Sequence, residues 1–126
     1  MNMTKKIEKK LLWVGNSRKK LLSFPEDVKD FIGYALHHAQ QGTKHPATKP
    51  FKGFKGAGVL EIVDDHDGDT YRAVYTVRFK EKVYVLHAFQ KKSKTGIKTP
   101  QKDINLIQDR YKQVEAREKE QNNGRS

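Results

Sequence analysis

The chain has 126 residues, 26 of them Lys or Arg against 15 Asp or Glu, for a formal net charge of +11 at pH 7. That length suits one domain with a modest core and is too short for two. The absence of cysteine excludes disulfides and thiolate metal sites, and the charge points to a polyanionic partner, either nucleic acid or an acidic protein.

The first ten residues form a basic N-terminal extension, residues 1–10. The apolar run after it, Leu11 to Val14, is far short of a signal-peptide core or a membrane span, so the chain reads as soluble and cytoplasmic, with no membrane partner. Closed by Gly15 and Asn16, this run predicts a first strand. Ser17 is expected to cap a short turn through Leu22, and Pro25 fits the first position of a longer helix because its missing N–H would be unpaired there anyway. Val28, Phe31, Ile32, Ala35, Leu36 and Ala39 fall at offsets 0, 3, 4, 7, 8 and 11, which predicts a helix to about Gln41 stopped by Gly42.

Thr43 to Gly58 carries no acidic residue and contains the repeat Phe51-Lys52-Gly53-Phe54-Lys55-Gly56, which reads as a basic loop. Val59 to Asp64 predicts a strand, Asp67-Gly68 a hairpin turn, and Thr70 to Phe79 and Val83 to Lys91 two further strands. Ser93 to Thr99 is a second basic loop, after which Thr99-Pro100 opens a final helix. Ile104, Ile107, Tyr111 and Val114 are spaced 3, 4 and 3 apart, so one side of that helix can dock on the sheet. The apolar stripe stops beyond Glu115, which predicts a domain over residues 11–115 and a frayed tail over residues 116–126. The fold class is α+β, a small, mainly antiparallel sheet with N-terminal helices and a C-terminal helix.

Register decides which side chains share a face. With Glu81 and Lys82 as the second turn, Tyr75, Val77 and Phe79 lie opposite Ala88, Leu86 and Tyr84, while Arg72, Val74 and Thr76 lie opposite Lys91, Phe89 and His87. Glu-Lys is a poor sequence for a primed two-residue turn, so this connection is also a candidate site for a bulge.

The second of those faces gathers an arginine, an imidazole, an aromatic ring and an amine. Arg72 can grip phosphate oxygens through both guanidinium nitrogens; the plain alternative is a cross-strand salt bridge to Glu61. His87 can exchange protons near neutral pH, or be an ordinary half-buried strand histidine. Phe89 can stack a splayed base, or fill the core. Lys91, Lys92, Lys94 and Lys98 form one basic stretch and Lys44, Lys49, Lys52 and Lys55 another. Each alone reads as a solvated loop, but together, interleaved with Phe51 and Phe54, they can flank one face and neutralise several phosphates. The acidic hairpin around Asp64, Asp65, Asp67 and Asp69 fails as a calcium loop, because aligning Gly68 with the loop glycine puts Val63 and Val74 at carboxylate positions. No metal site and no cofactor are expected.

Five phrases carry a resemblance: Ser23-Phe24-Pro25-Glu26-Asp27-Val28, Ile32-Gly33-Tyr34-Ala35-Leu36, Lys49-Pro50-Phe51-Lys52-Gly53, Asp67-Gly68-Asp69-Thr70-Tyr71-Arg72-Ala73-Val74-Tyr75 and Tyr84-Val85-Leu86-His87-Ala88-Phe89-Gln90-Lys91-Lys92-Ser93. In this order and spacing the chain resembles, from about Leu11 to Tyr111, the phage-derived branch of the RelE/HigB toxin family, of the RelE/ParE fold. The resemblance implies helices packed on one face of the sheet with the other face open. It also implies a toxin of a type II toxin–antitoxin system, a ribosome-associated endoribonuclease that cuts mRNA without a metal by attack of the RNA's own 2′-hydroxyl. Arg72 would then stabilise transition-state charge together with Lys91, with Lys92 as a substitute, and His87 would transfer the proton. Lys49, Lys52, Lys55, Lys94 and Phe89 would bind RNA. The partner implied is a cognate antitoxin, a helix-turn-helix protein in a toxin–antitoxin hetero-oligomer, whose acidic or amphipathic segment would cover the open face. Glu61, Asp64 and Asp65 stand where ribosome-dependent relatives often carry Lys or Arg. The same fold also serves toxins that bind and inhibit DNA gyrase, and a plain RNA-binding protein would share the basic loops.

Overall fold

The turn at Asp67-Gly68 organises the sheet. Both residues have positive φ, 49° and 81°, the backbone twist that a two-residue hairpin turn needs. It joins β3 (Val59–His66) to β4 (Asp69–Thr76) in an antiparallel pair running from His66↔Asp69 to Val59↔Thr76. The computed structural model describes residues 8–54, 58–91 and 99–123. The remaining elements in chain order are β1 (Lys10–Trp13), α1 (Ser17–Leu22), α2 (Glu26–Gln40) and β2 (Thr48–Pro50) before the hairpin, and β5 (Lys82–Lys91) and α3 (Gln101–Asn123) after it. The expected α+β class holds. The five strands lie in the order β1-β5-β4-β3-β2, antiparallel except for the parallel β1–β5 pair.

Five of the six positions in the stripe predicted for α2 are buried, Val28, Ile32, Ala35, Leu36 and Ala39 each at most 2% exposed, and Phe31 is half-buried against them. They pack on Ile62, Ala73, Tyr75, Val83, Val85 and Ala88 of one sheet face, with Leu21 of α1 and Phe24 beside them. Each large aliphatic side chain contributes about 1.5–3 kcal/mol on burial, which is how a short stripe fixes a fifteen-residue helix. Pro25 stands just before the helix rather than in its first turn. Ser17 does not cap α1 through its side chain. Its hydroxyl is buried and donates to the Val85 carbonyl oxygen at 3.1 Å, tying the β1–α1 loop to the sheet.

Three further expectations need correction. The segment 43–58 is not all loop, since Thr48–Pro50 pairs with Leu60 to Ile62 as the edge strand β2. A three-residue strand containing proline has almost no pattern to detect. The register of β4 on β5 is also different, with Arg72 opposite Phe89, Val74 opposite His87 and Thr70 opposite Lys91. Ladder numbering then jumps, because Tyr75 pairs with Val85 and leaves Leu86 as an extra residue on β5. The register shift thus sits inside the strand; β4 ends at Thr76, short of the expected Phe79, and residues 77–81, with Glu81 at φ 64°, make the connection in place of a two-residue Glu81-Lys82 turn. Tyr84 and Leu86 consequently share a face with His87 and Phe89, where strict alternation puts them on opposite faces.

The third correction concerns the face expected to be open. Ile107, Tyr111 and Val114 of α3 pack there on Val74, Tyr84, Leu86 and Phe89, so helices cover both sides of the sheet. The spacing of Ile104, Ile107, Tyr111 and Val114 shows that α3 docks but not on which side. α3 runs to Asn123, and Glu118 near its end is buried, bonded to Lys82 Nζ at 2.8 Å and to the Tyr84 hydroxyl. Among the described residues no helix is long and apolar enough to cross a membrane.

Candidate active site

The extra residue Leu86 decides which way His87 faces. Val83 and Val85 belong to the core under α2, and uninterrupted alternation would carry His87 and Phe89 there too. With one residue inserted, His87, Phe89 and Lys91 turn to the α3 face beside Val74, Arg72 and Thr70. The grouping of Arg72, His87, Phe89 and Lys91 on one face is therefore present. Lys49 joins the same row, through Lys49↔Glu61, Glu61↔Val74 and Val74↔His87.

His87 is 4% exposed and its Nε2 lies 2.7 Å from Asp103 Oδ1, at the start of α3. An ionised carboxylate can only accept, so the imidazole donates through Nε2. In the neutral ring Nδ1 is then a bare acceptor, and it is buried without a hydrogen-bond partner among the described residues. Burial is the largest influence on the ring and pushes its pKa below the usual 6.5. The bond to Asp103 opposes this, while the positive charges of Arg110 and Lys20 add to it. The net effect favours a neutral ring with its basic nitrogen at Nδ1. Phe89 stacks on the imidazole at 4.9 Å between centroids and 18° between planes, fixing its plane.

Arg72 is not on an exposed strand surface. It is 5% exposed, and its Nη1 lies 2.8 Å from Glu61 Oε1, itself buried, so the salt bridge considered from sequence is the one that forms. Phe89 is 5% exposed, with the imidazole against its ring, which removes it as an open stacking surface for a base. Phe51 is buried, and Phe54 packs on it at 5.5 Å and on Tyr111 at 5.8 Å, so these rings belong to the α3 core rather than to an RNA-facing loop. Lys49 and Lys52 are exposed, and Lys91 is half-buried at the end of β5. Lys55, Lys92 and Lys94 lie outside the described residues.

Two contributors were missed from sequence. Asp103 sits at the start of an amphipathic helix, where an acidic residue ordinarily favours the positive end of the helix dipole and so draws no attention. Arg110 occupies a helical position between Ile107 and Tyr111, and reads as a solvated charge. In the fold it is 9% exposed and donates through Nη1 to the Leu86 carbonyl oxygen and through Nη2 to Asn16 Oδ1, both at 2.8 Å. Chemically, the arrangement is an imidazole with an oriented, unprotonated nitrogen on a face carrying cations of β2, β4 and β5.

Comparison with known proteins gives a family. The family model described as Phage derived protein Gp49-like (DUF891) matches residues 19–112. Among solved structures, a mutant of Escherichia coli toxin RelE in the free state is similar over 64% of this chain and 81% of that chain, at 19% identity and TM-score 0.49. The toxin–antitoxin complex RelBE2 from Mycobacterium tuberculosis is similar over 72% of this chain and 100% of that chain, at 17% identity and TM-score 0.42. No curated protein matches the sequence.

Proposed function

The chain belongs to the Phage derived protein Gp49-like family, the phage-derived branch its sequence phrases resemble, and from that premise we propose that it is a cytoplasmic toxin of a type II toxin–antitoxin system that cleaves mRNA on the ribosome. The observation that carries the chemistry is the Asp103–His87 hydrogen bond, which leaves Nδ1 of a neutral imidazole as the basic atom of the face. In this reading Nδ1 takes the proton of an RNA 2′-hydroxyl as its oxygen bonds to the adjacent phosphorus. The phosphorus–O5′ bond breaks, leaving a 2′,3′-cyclic phosphate and, once a proton is donated to the leaving oxygen, a 5′-hydroxyl. Lys91 and Arg72, with Lys92 as a substitute, stabilise charge on the phosphoryl oxygens, and Lys49, Lys52, Lys55 and Lys94 bind the backbone. The imidazole supplies the proton transfer in this scheme without any metal.

The substrate must reach Nδ1, which is buried in the free protein. Loop or helix movement on the ribosome would open that path, and catalytic geometry is often completed only when substrate binds. A cognate antitoxin, a helix-turn-helix protein, is the proposed partner in a hetero-oligomer. Failure of the chain to co-purify with the product of the adjacent gene would count against it.

The test is mapping of new RNA 5′ ends in purified programmed ribosomes, with the wild type and with His87→Gln. Cuts within the decoding site that disappear in the folded variant support the reading. One observation favours a second one. Arg72 is already neutralised by Glu61, as suits a chain that binds an enzyme rather than cuts RNA, such as an inhibitor of DNA gyrase. Toxicity and gyrase inhibition without RNA cuts would establish that second reading. Salt-sensitive RNA binding with neither would leave a plain RNA-binding protein.

A further inference from the structure

His87 faces the site only because β5 carries an extra residue, and the carbonyl of that residue, Leu86, is held by a side chain from α3. We propose that Arg110 is the positioning residue of His87, acting through the Leu86 bulge; the catalytic part of this inference rests on the nuclease reading above.

The bulge is gripped from two directions. The Val85 carbonyl accepts from the Ser17 hydroxyl at 3.1 Å and from the Val14 backbone N–H at 3.0 Å, at the two ends of the β1–α1 connection. The next carbonyl, that of Leu86, accepts from Arg110 Nη1, while Nη2 of the same guanidinium holds Asn16 Oδ1 in that connection. One planar fork therefore joins the bulge to the loop that anchors its neighbour, a geometry that the single ammonium of lysine cannot reproduce.

Gly15 makes room for it. A Cβ there would lie 2.6 Å from Nη2 and 2.8 Å from Cζ of Arg110, and the backbone is left-handed at φ 56°. The guanidinium thus lies against bare backbone, where no side chain fits.

A bulge is a register decision, and moving the extra residue by one position exchanges the faces of every side chain between the old and new sites. If Leu86 loses its hold, His87 competes for the face occupied by Val83 and Val85, and its bonds to Asp103 and stacking on Phe89 are lost together. Arg110 thereby keeps the imidazole turned to Asp103, which sets its tautomer, without touching the reacting atoms.

The experiment reads the His87 ring by proton–nitrogen NMR correlation in the free protein, above its titration, in the wild type, Arg110→Met and Gly15→Ala. Ile32→Val, on the opposite face, serves as a mildly destabilised control. The wild type and control are expected to show protonated Nε2 and bare Nδ1, and both site variants to lose that fixed pattern. RNA cleavage, where the wild type cleaves, should fall by about 100-fold in the site variants, the cost of a small misplacement of a reacting group. Gly15→Ala decides the matter if Arg110→Met does not fold. An unchanged imidazole pattern in a folded site variant, or its loss in the control as well, overturns the proposal. Absence of cleavage by the wild type overturns the nuclease reading instead, and the imidazole pattern still decides the role of Arg110.

Discussion

Glu61 and Arg72 meet at 2.8 Å with both side chains under a tenth exposed, on neighbouring strands of the face that also carries His87. A buried pair of this kind contributes little over a well-packed apolar pair, but removing one partner leaves the other charged and uncompensated. Arg72→Met or Glu61→Leu alone is therefore expected to cost about 3–5 kcal/mol, and the two together clearly less than the sum of the single losses. A double-mutant cycle by urea denaturation measures this, and additive losses would refute it. The consequence is practical, since loss of toxicity in Arg72→Ala is informative only in protein shown to be folded.

His87 is expected to make stability depend on pH. The unfolded chain takes up the histidine proton near 6.5, whereas the folded chain, with the ring desolvated and near Arg110 and Lys20, does so at lower pH despite Asp103. Between those two values the unfolded state binds more protons, so stability rises with pH; the contribution is complete above 6.5 and is lost as pH falls through the folded value. Melting temperatures from pH 8 to pH 5 should drop more steeply for the wild type than for His87→Gln. Parallel curves would show that burial does not set the titration of this ring.

Asp103→Asn removes the charge and lets the amide present either a donor or an acceptor to Nε2, so the tautomer is no longer imposed. If His87 acts as the base, single-turnover RNA cleavage is expected to fall by about 100-fold or more. A drop of less than about threefold would mean that Asp103 serves only to dock the start of α3.

Tyr84 should titrate well above the ordinary tyrosine range. Burial and the hydrogen bond to Glu118 push its hydroxyl up to about 12. Alkaline titration followed by ultraviolet absorbance should show a component near that value that disappears in Tyr84→Phe. The same substitution removes a bond to a charged carboxylate and is expected to cost about 1.5–3 kcal/mol in denaturation. A cost near zero would mean that Lys82 alone holds Glu118, and with it the last turns of α3.

The elements that sequence predicts well are those whose pattern is local. The α2 stripe repeats with the helical period and every expected aliphatic position is buried, while Asp67-Gly68 states its own turn geometry. The grouping of Arg72, His87, Phe89 and Lys91 is also legible, although the register that leads to it is not, because the error at Leu86 changes the side of Tyr84 and Leu86 while leaving these four together.

What sequence by itself determined is therefore the class of fold, the two long pattern-bearing elements, the family, and the residue types on the candidate face. Only tertiary structure decided whether that face is open, which nitrogen of His87 is bare, and what balances Arg72. Those outcomes rest on contacts between distant residues: His87 to Asp103 across 16 positions, Arg110 to Leu86 across 24, and Arg110 to Asn16 across 94. Periodicity records which side of an element is apolar; it does not record which partner that side meets. A single inserted residue in a strand costs the pattern almost nothing, yet it reverses the face of the residues that follow.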